Sequence, residues 1–576
     1  MISPFGDAIL MAQIEFDQCP GGRQKQENFM RWGARSSNAM LGGALLLALA
    51  FGVAPLPAQA DPAYAQATRG AVLDRGQAGV TADALPTTQI DGVGWTQLIV
   101  GDRVFVGGEF QHARPAGAPS GTDEAVRSNL LAYHLTTGEL DTSFAPLTNG
   151  AVRTLAASVD GKTLFVGGDF TKVDNVPRSR FAAISLTSGS LTSIAPKFDS
   201  TVRVIRTSKS RVFVGGSFTR VGSSRRAKLA ALTLSGKVSR WAPAADDYVR
   251  AMTLTPDGKR LVVGGSFKKI NKTTVNGMAS LDVTSAKLLS WKISSTVKDF
   301  GQKSAIMSLV ADSTKVYGSG YSYGGGNFEG AFAADPSTGK ILWLQDCRGD
   351  TYDVAVVGAR LYSVGHAHNC QNIGGFGEVK PIGYRALAVG TSATGSVGLN
   401  TQPAYNKFTK QPAPSLVNWF PELTPGTYTG QSQAAWSVVG NDQYVALAGE
   451  FPAVNGTDQQ GLVRFATSSH APLKQGPLSA GMHSAPSVTA SADGTAIISW
   501  QANHDRDDQV LTYEVLRNRV SVRTQTATSQ FWNRPVLSAT DSGLVPGDRY
   551  KYEIRASDPD GNSTVSGSVF VTVPAS

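Results

Sequence analysis

The sequence predicts an all-β protein: a seven-bladed β-propeller, with six or eight blades as the neighbouring counts, followed by a smaller β-sandwich. Three observations carry that expectation. A short pattern, Val-Gly-Gly-x-Phe, returns through the middle of the 576-residue chain. The segments that carry it divide into strand-length runs separated by Asp-Gly and Ser-Gly turns. Past Leu478 the pattern stops and a sandwich-sized block begins. Composition agrees, since 62 glycines and only 17 % charged residues describe a turn-rich, lightly charged chain. Hydrophobic residues at 41 %, with 9 Trp, 15 Tyr and 24 Phe, supply enough apolar surface for large cores and exclude wholesale disorder. Heptads and a Gly-X-Y period are absent, which excludes coiled coil and collagen.

Residues 1–29 fit no targeting signal and are expected to be an upstream extension. From Met30 the chain carries a basic start with Arg31 and Arg35, an apolar run from Met40 to Val53, and Ala58-Gln59-Ala60 before Asp61. That order is a secretory signal peptide over 30–60, with an apolar run too short for the ~20 residues of a spanning helix. The mature chain is then expected to be secreted, with no membrane span after signal removal, an N-terminal membrane anchor being the alternative. Residues 61–87 read as a linker, 88–470 as the repeat region, 471–484 as a second linker and 485–574 as the sandwich.

The first small residue of each copy stands at 107, 167, 215, 264, 318, 365 and 448, so seven units follow at spacings of 60, 48, 49, 54, 47 and 83. In the second unit Ala151–Val159, Thr163–Phe170 and Phe181–Leu186 read as strands, with a short fourth near Ile194. Runs such as Val212-Phe213-Val214 are apolar on successive residues, so both faces of each sheet require a neighbour. Units of about 48 residues meet that need most economically around a common axis. Trp241, Trp291, Trp343 and Trp419 recur late in four units, which points to packing.

The Val-Gly-Gly-x-Phe core and small-residue third strands such as Leu229-Ala230-Ala231-Leu232 resemble the delta-60 type repeat of secreted actinobacterial propellers, over roughly residues 88–470. That resemblance implies the propeller fold and no particular reaction. In the last block, Leu544-Val545-Pro546-Gly547-Asp548-Arg549-Tyr550 resembles the tyrosine corner of a fibronectin type III module, with Tyr550 at the corner and Trp500 in the core.

Chemistry is harder to place. Walker, dinucleotide and His-Glu-x-x-His signatures are absent, and no Gly-x-Ser-x-Gly elbow stands between a strand and a helix, so no catalytic or cofactor-binding residue is assigned. Cys347 and Cys370, the two cysteines of the mature chain, are expected to pair in an oxidising compartment. Pairing removes Cys370 from the His366-Ala367-His368-Asn369-Cys370 cluster as a metal ligand, so no metal site is assigned there. Asp505, Asp507, Asp508, Asp558 and Asp560 sit in loops of the last domain, where calcium is possible and ordinary turn chemistry is the alternative. Candidate ligand contacts are Tyr317, Tyr321 and Tyr323 as an exposed aromatic platform, His366 and His368, and Arg225 and Arg226 in a basic stretch extending to Lys272. Glu109, Asp169 and Glu450 occupy equivalent places in three units.

The net charge of +9 is mild for this length. It suits an anionic envelope polymer better than nucleic acid in a secreted chain. The expected function is non-catalytic binding or scaffolding, directed at polysaccharide or a cell-surface protein. An extracellular glycosidase with an accessory module is the alternative, distinguished by acidic side chains converging in the channel with one raised pKa.

Overall fold

The computed structural model describes residues 79–379 and 383–575. The expected extension, the signal segment and residues 61–78 lie outside the described residues. Within them the chain is all-β, built of many small antiparallel sheets joined by turns and single turns of 3-10 helix. No helix among them is long and apolar enough to cross a membrane.

Seven sheets follow one another from residue 93 to residue 466. Their middle strands are Arg103–Glu109, Thr163–Gly168, Arg211–Gly216, Arg260–Gly265, Val316–Ser322, Arg360–Ala367 and Tyr444–Gly449. Each is thus a copy of the glycine-bearing pattern, flanked by a first and a third strand. The expected fourth strand forms in the fourth, fifth and sixth sheets. In the first three it shrinks to single bridges, Tyr133 to Leu140, Ile184 to Leu191 and Leu232 to Val238. In the seventh sheet that place is taken from far away in sequence: Val80 bridges Thr467 and Leu85 bridges Arg464. The stretch expected to be linker through residue 87 is therefore part of the fold from Val80 onward, and Val80 and Ala82 are buried.

The first strands pack side by side in chain order, and that of the seventh sheet, Ala435–Gly440, also packs against that of the first, Val93–Val100. Hydrophobic cores fill the spaces between successive sheets. Phe105 and Leu164 share one, Phe165 and Val214 the next, Phe213 and Leu261 the next, and so on to a core where Val104 and Leu131 of the first sheet meet Tyr444 and Leu462 of the seventh. Trp241, Trp291, Trp343 and Trp419 are buried, and three of their indole N–H groups donate across to carbonyls, at Asp282, Thr391 and Thr81.

The glycine pair explains this close approach. A Cβ at Gly167 would lie 2.4 Å from Val202 Cγ1 of the next sheet, and one at Gly168 would lie 2.1 Å from the Ala151 carbonyl oxygen. The equivalents at Gly107, Gly215 and Gly264 meet Val152, Val249 and Ile306 in the same way. The first glycine therefore receives a β-branched side chain from the following sheet, and the second lets the strand pass its own neighbour's backbone.

Cys347 and Cys370 form a disulfide with an S–S distance of 2.04 Å, closing a loop between the fifth and sixth sheets. From Ser487 to Thr572 two further antiparallel sheets face each other around Ile498, Trp500, Tyr513, Val515, Tyr552 and Ile554. The Tyr550 hydroxyl accepts the Val545 N–H at 3.0 Å, pinning the turn that precedes its strand.

Gly168→Ala is expected to destabilise the protein by about 1–3 kcal/mol, the usual size of an overpacking defect. Gly395→Ala, where an added Cβ meets nothing within 4 Å, is expected to stay within about 0.5 kcal/mol. Thermal unfolding of the two variants beside the parent checks both.

Candidate functional site

In all seven sheets the pairing of first and middle strands slips by one residue at the same place. The slips fall between Gly94 and Thr96, Val152 and Thr154, Val202 and Val204, Val249 and Ala251, Ile306 and Ser308, Thr351 and Asp353, and Ala435 and Ser437. A β-bulge leaves one residue unpaired and re-aims its side chain. The residues so displaced are Trp95, Arg153, Arg203, Arg250, Met307, Tyr352 and Trp436.

Five of these side chains engage the residue just past the last glycine of the middle strand. Arg153 Nε meets Asp169 at 2.9 Å, Arg203 Nε donates to Ser217 Oγ at 3.0 Å, and Arg250 Nε donates to Ser266 Oγ at 3.3 Å. Tyr352 Oη lies 3.3 Å from His366 Nδ1, and Trp436 Nε1 donates to Glu450 at 3.0 Å. Contacts also run from sheet to sheet. The Arg153 guanidinium lies 4.9 Å over the Trp95 ring, Trp95 and Trp436 are 5.1 Å apart, and Trp436 and Tyr352 are 4.3 Å apart. Arg203 and Lys228 both lie over the Tyr248 ring. One arc of the site is cationic and the other aromatic.

Beside the aromatic arc is a nest of buried acids. Asp299 is 0 % exposed, its Oδ1 accepts the Asn327 and Phe328 N–H groups, and its Oδ2 has no hydrogen-bond donor among the described residues. Gly320 and Gly326 make room for it, since a Cβ on either would lie 2.6 Å or less from a carboxylate oxygen. Burial, with the charges of Glu329 and Asp350 nearby, pushes Asp299 up to about 8. Burial and Glu329 push Asp350 up to about 7, and its carboxylate accepts from the Ser322 N–H and the Tyr352 hydroxyl. Asp346 rises to about 6 through burial, partly offset by Arg348 at 3.6 Å. Burial, helped by Arg385 and His368, holds His366 down at about 3, so its ring is neutral at pH 7. Asp169 goes the other way: against the effect of burial, Arg153 and the Thr201 hydroxyl keep it below the usual carboxylate range. At neutral pH the site therefore presents guanidinium groups and flat aromatic faces, with a protonated carboxyl, Asp299, buried nearby.

The predicted contact residues separate on this frame. His366 belongs to the site, and Tyr321 borders it, its hydroxyl pushed up by burial and by Asp350 and Asp299 against the opposing charge of Arg250. The exposed tyrosine platform is corrected: Tyr317 is fully buried against Trp343 with its hydroxyl donating to Asp312, Tyr321 is buried, and only Tyr323 reaches solvent at 38 % exposure. His368 pairs with Glu378 at 2.9 Å. Arg225 and Arg226 lie on and beside the short ribbon of Arg220–Val221 and Ser224–Arg225, where the Arg226 side chain donates to the Ser239 and Arg225 carbonyls. Asp169 and Glu450 partner displaced side chains and do more than end a strand. Sequence reasoning missed Trp95, Tyr352, Trp436, Asp299 and the three arginines. A signal for the last was present in Val152-Arg153, Val202-Arg203 and Val249-Arg250.

No protein-family description matches the chain, and no curated protein matches it. Among solved structures it is similar to hydrazine synthase from Kuenenia stuttgartiensis, with 12 % identity and a TM-score of 0.34 over 66 % of this chain and 95 % of that one.

Asp299 keeps a proton in the native state that the unfolded chain releases above its ordinary value of 3.8. Stability should therefore fall as pH rises from about 4 towards about 8. Asp299→Asn is expected to flatten that decline and to leave the protein more stable than the parent at pH 8. Melting temperatures across the range measure it, and parallel curves for the two proteins would refute it.

Proposed function

We propose that the chain is a secreted, non-catalytic binding protein for an acidic extracellular polysaccharide, built as a seven-bladed β-propeller of the delta-60 type with a fibronectin type III module behind it. Secretion is supported by the signal-like segment from Met30 to Ala60 and by the disulfide, which suits an oxidising compartment. Closure of seven blades is supported by the unbroken succession of first-strand neighbours and by the core shared between the first and seventh sheets. The Arg206 guanidinium of the third sheet feels the carboxylate of Asp353 in the sixth, as groups facing a common axis would. The Tyr550 hydroxyl contact supports the fibronectin reading.

The observation that carries the binding reading is the set of seven bulges. They aim Arg153, Arg203 and Arg250 from one side and Trp95, Tyr352 and Trp436 from the other. Guanidinium forks match carboxylate, sulfate or phosphate groups, and aromatic faces suit the apolar faces of sugar rings. A polymer of acidic sugars offers both. Glycoside hydrolysis is the second reading, favoured by the raised carboxyls of Asp299 and Asp350, because a protonated acid beside an ionised one is what that chemistry uses.

One experiment separates the two. The secreted chain from Asp61 is co-sedimented with insoluble acidic and neutral polysaccharides, and sugar release is followed in the same tubes. Retention on the acidic polymer, weakened by salt and lowered about tenfold or more by Arg250→Ala or Trp436→Ala, is expected without released sugar. Sugar release abolished by Asp350→Asn would establish the hydrolase instead.

A further inference from the structure

The last domain holds a second cluster of charge that the ring does not use. Strand Val510–Arg517 pairs with Arg549–Ser557, Thr512 opposite Ser557. The segment leading into the first strand, Asn503 to Gln509, therefore emerges at the same end of the sheet as the turn leaving the second, Asp558 to Asn562. One carboxylate oxygen from each of Asp505, Asp507 and Asp508 lies within 4.8 Å of the others, and so does one from each of Asp508, Asp558 and Asp560. Asp508 joins the two triads.

Clustered surface acids are ordinary, but three of these five are buried. Asp505 is 0 % exposed and Asp508 3 %, and Asp558 is also buried. The Asp505 Oδ1 accepts the Asp507 N–H, while its Oδ2, fully enclosed, meets no hydrogen-bond donor among the described residues. An enclosed carboxylate oxygen without a donor is costly unless a cation supplies the missing interaction. Arg506, placed between the acids in sequence, is committed elsewhere, to Glu422 at 3.1 Å and Gln475 at 3.0 Å.

The backbone around the acids is already fixed. Asn418 Nδ2 donates to the carbonyls of Asp505 and Asp508, the Phe420 N–H donates to the Arg506 carbonyl, and the Ala82 N–H donates to Asp507 Oδ2. Asp558 Oδ1 accepts the Asp560 and Asn562 N–H groups, which bends its turn towards the triad. The donor set is all oxygen, which selects a hard cation, and calcium takes six to eight such ligands at about 2.3–2.6 Å with tolerance of irregular geometry.

We propose that Asp505, Asp507, Asp508, Asp558 and Asp560 bind a calcium ion, which fastens the acidic loop of the last domain where Asn418, Phe420 and Ala82 grip it. The test uses the whole secreted chain, stripped of metal by chelator and titrated with calcium chloride by calorimetry and by thermal unfolding. One ion per chain and a rising melting temperature are expected. Asp560→Asn, at an exposed position, and Asp505→Asn should each weaken calcium at least tenfold. Asp493→Asn, on an exposed turn of the same domain, should bind as the parent does. No calcium heat and no thermal shift in the parent would overturn the proposal, as would undiminished affinity in Asp560→Asn. An equal response to magnesium would overturn the choice of calcium.

Discussion

Neighbouring sheets in this protein approach so closely that a single methyl group cannot be inserted where Gly167 receives Val202. That contact recurs at Gly107, Gly215 and Gly264, and it accounts for much else in the molecule. With side chains of the next sheet seated in the strand itself, each sheet is packed on both faces, and its central strand becomes apolar at successive positions. The same tight passage forces the first strand to slip by one residue beside the glycines. The residues that line the candidate site are thus a by-product of how the sheets pack: any side chain placed at the slip is released from the ladder and turned towards its counterparts.

Such an arrangement separates the demands of folding from those of recognition. The glycines and valines set the frame, while the displaced positions hold Trp, Arg, Met or Tyr without disturbing it. The electrostatics of the site follow from depth. Asp169, facing Arg153, stays ionised, whereas Asp299, sunk between two glycines with Glu329 and Asp350 for neighbours, keeps its proton. Two carboxylic acids of one protein thereby carry different charge at the same pH, through environment alone.

The fold was largely legible in the sequence because its governing contact is written in glycine, the residue that local pattern exposes most readily. The seven middle strands and the burial of Trp241, Trp291, Trp343 and Trp419 follow from reading residue type at a fixed register, and the pairing of Cys347 with Cys370 from their being the two cysteines past the signal-like segment. What escaped was whatever depends on partners distant in sequence. Val80 and Leu85 carry no local sign that they will border Thr467 and Arg464, so they were assigned to a linker. Tyr317, Tyr321 and Tyr323 alternate among glycines as an exposed group would, yet Trp343 covers the first and only the last reaches solvent. Trp95 and Trp436 stand 5.1 Å apart from opposite ends of the repeat region, a meeting that no stretch of sequence announces.

The union of residues 80–85 with the seventh sheet has a further consequence, for the order of assembly. Arg464 donates to the Pro86 carbonyl across a sequence separation of 378. Closing so long a loop costs little more in entropy than closing one half its length, about 0.6 kcal/mol per doubling. The time needed is another matter, since contacts so remote form late. During synthesis the early sheets can stack as they emerge, but the seventh remains an open edge until both ends are present. The stretch from Val80 to Leu85 must then wait, unpaired, for almost the whole repeat region to be made, and a chain cut short before Thr467 would expose that edge permanently.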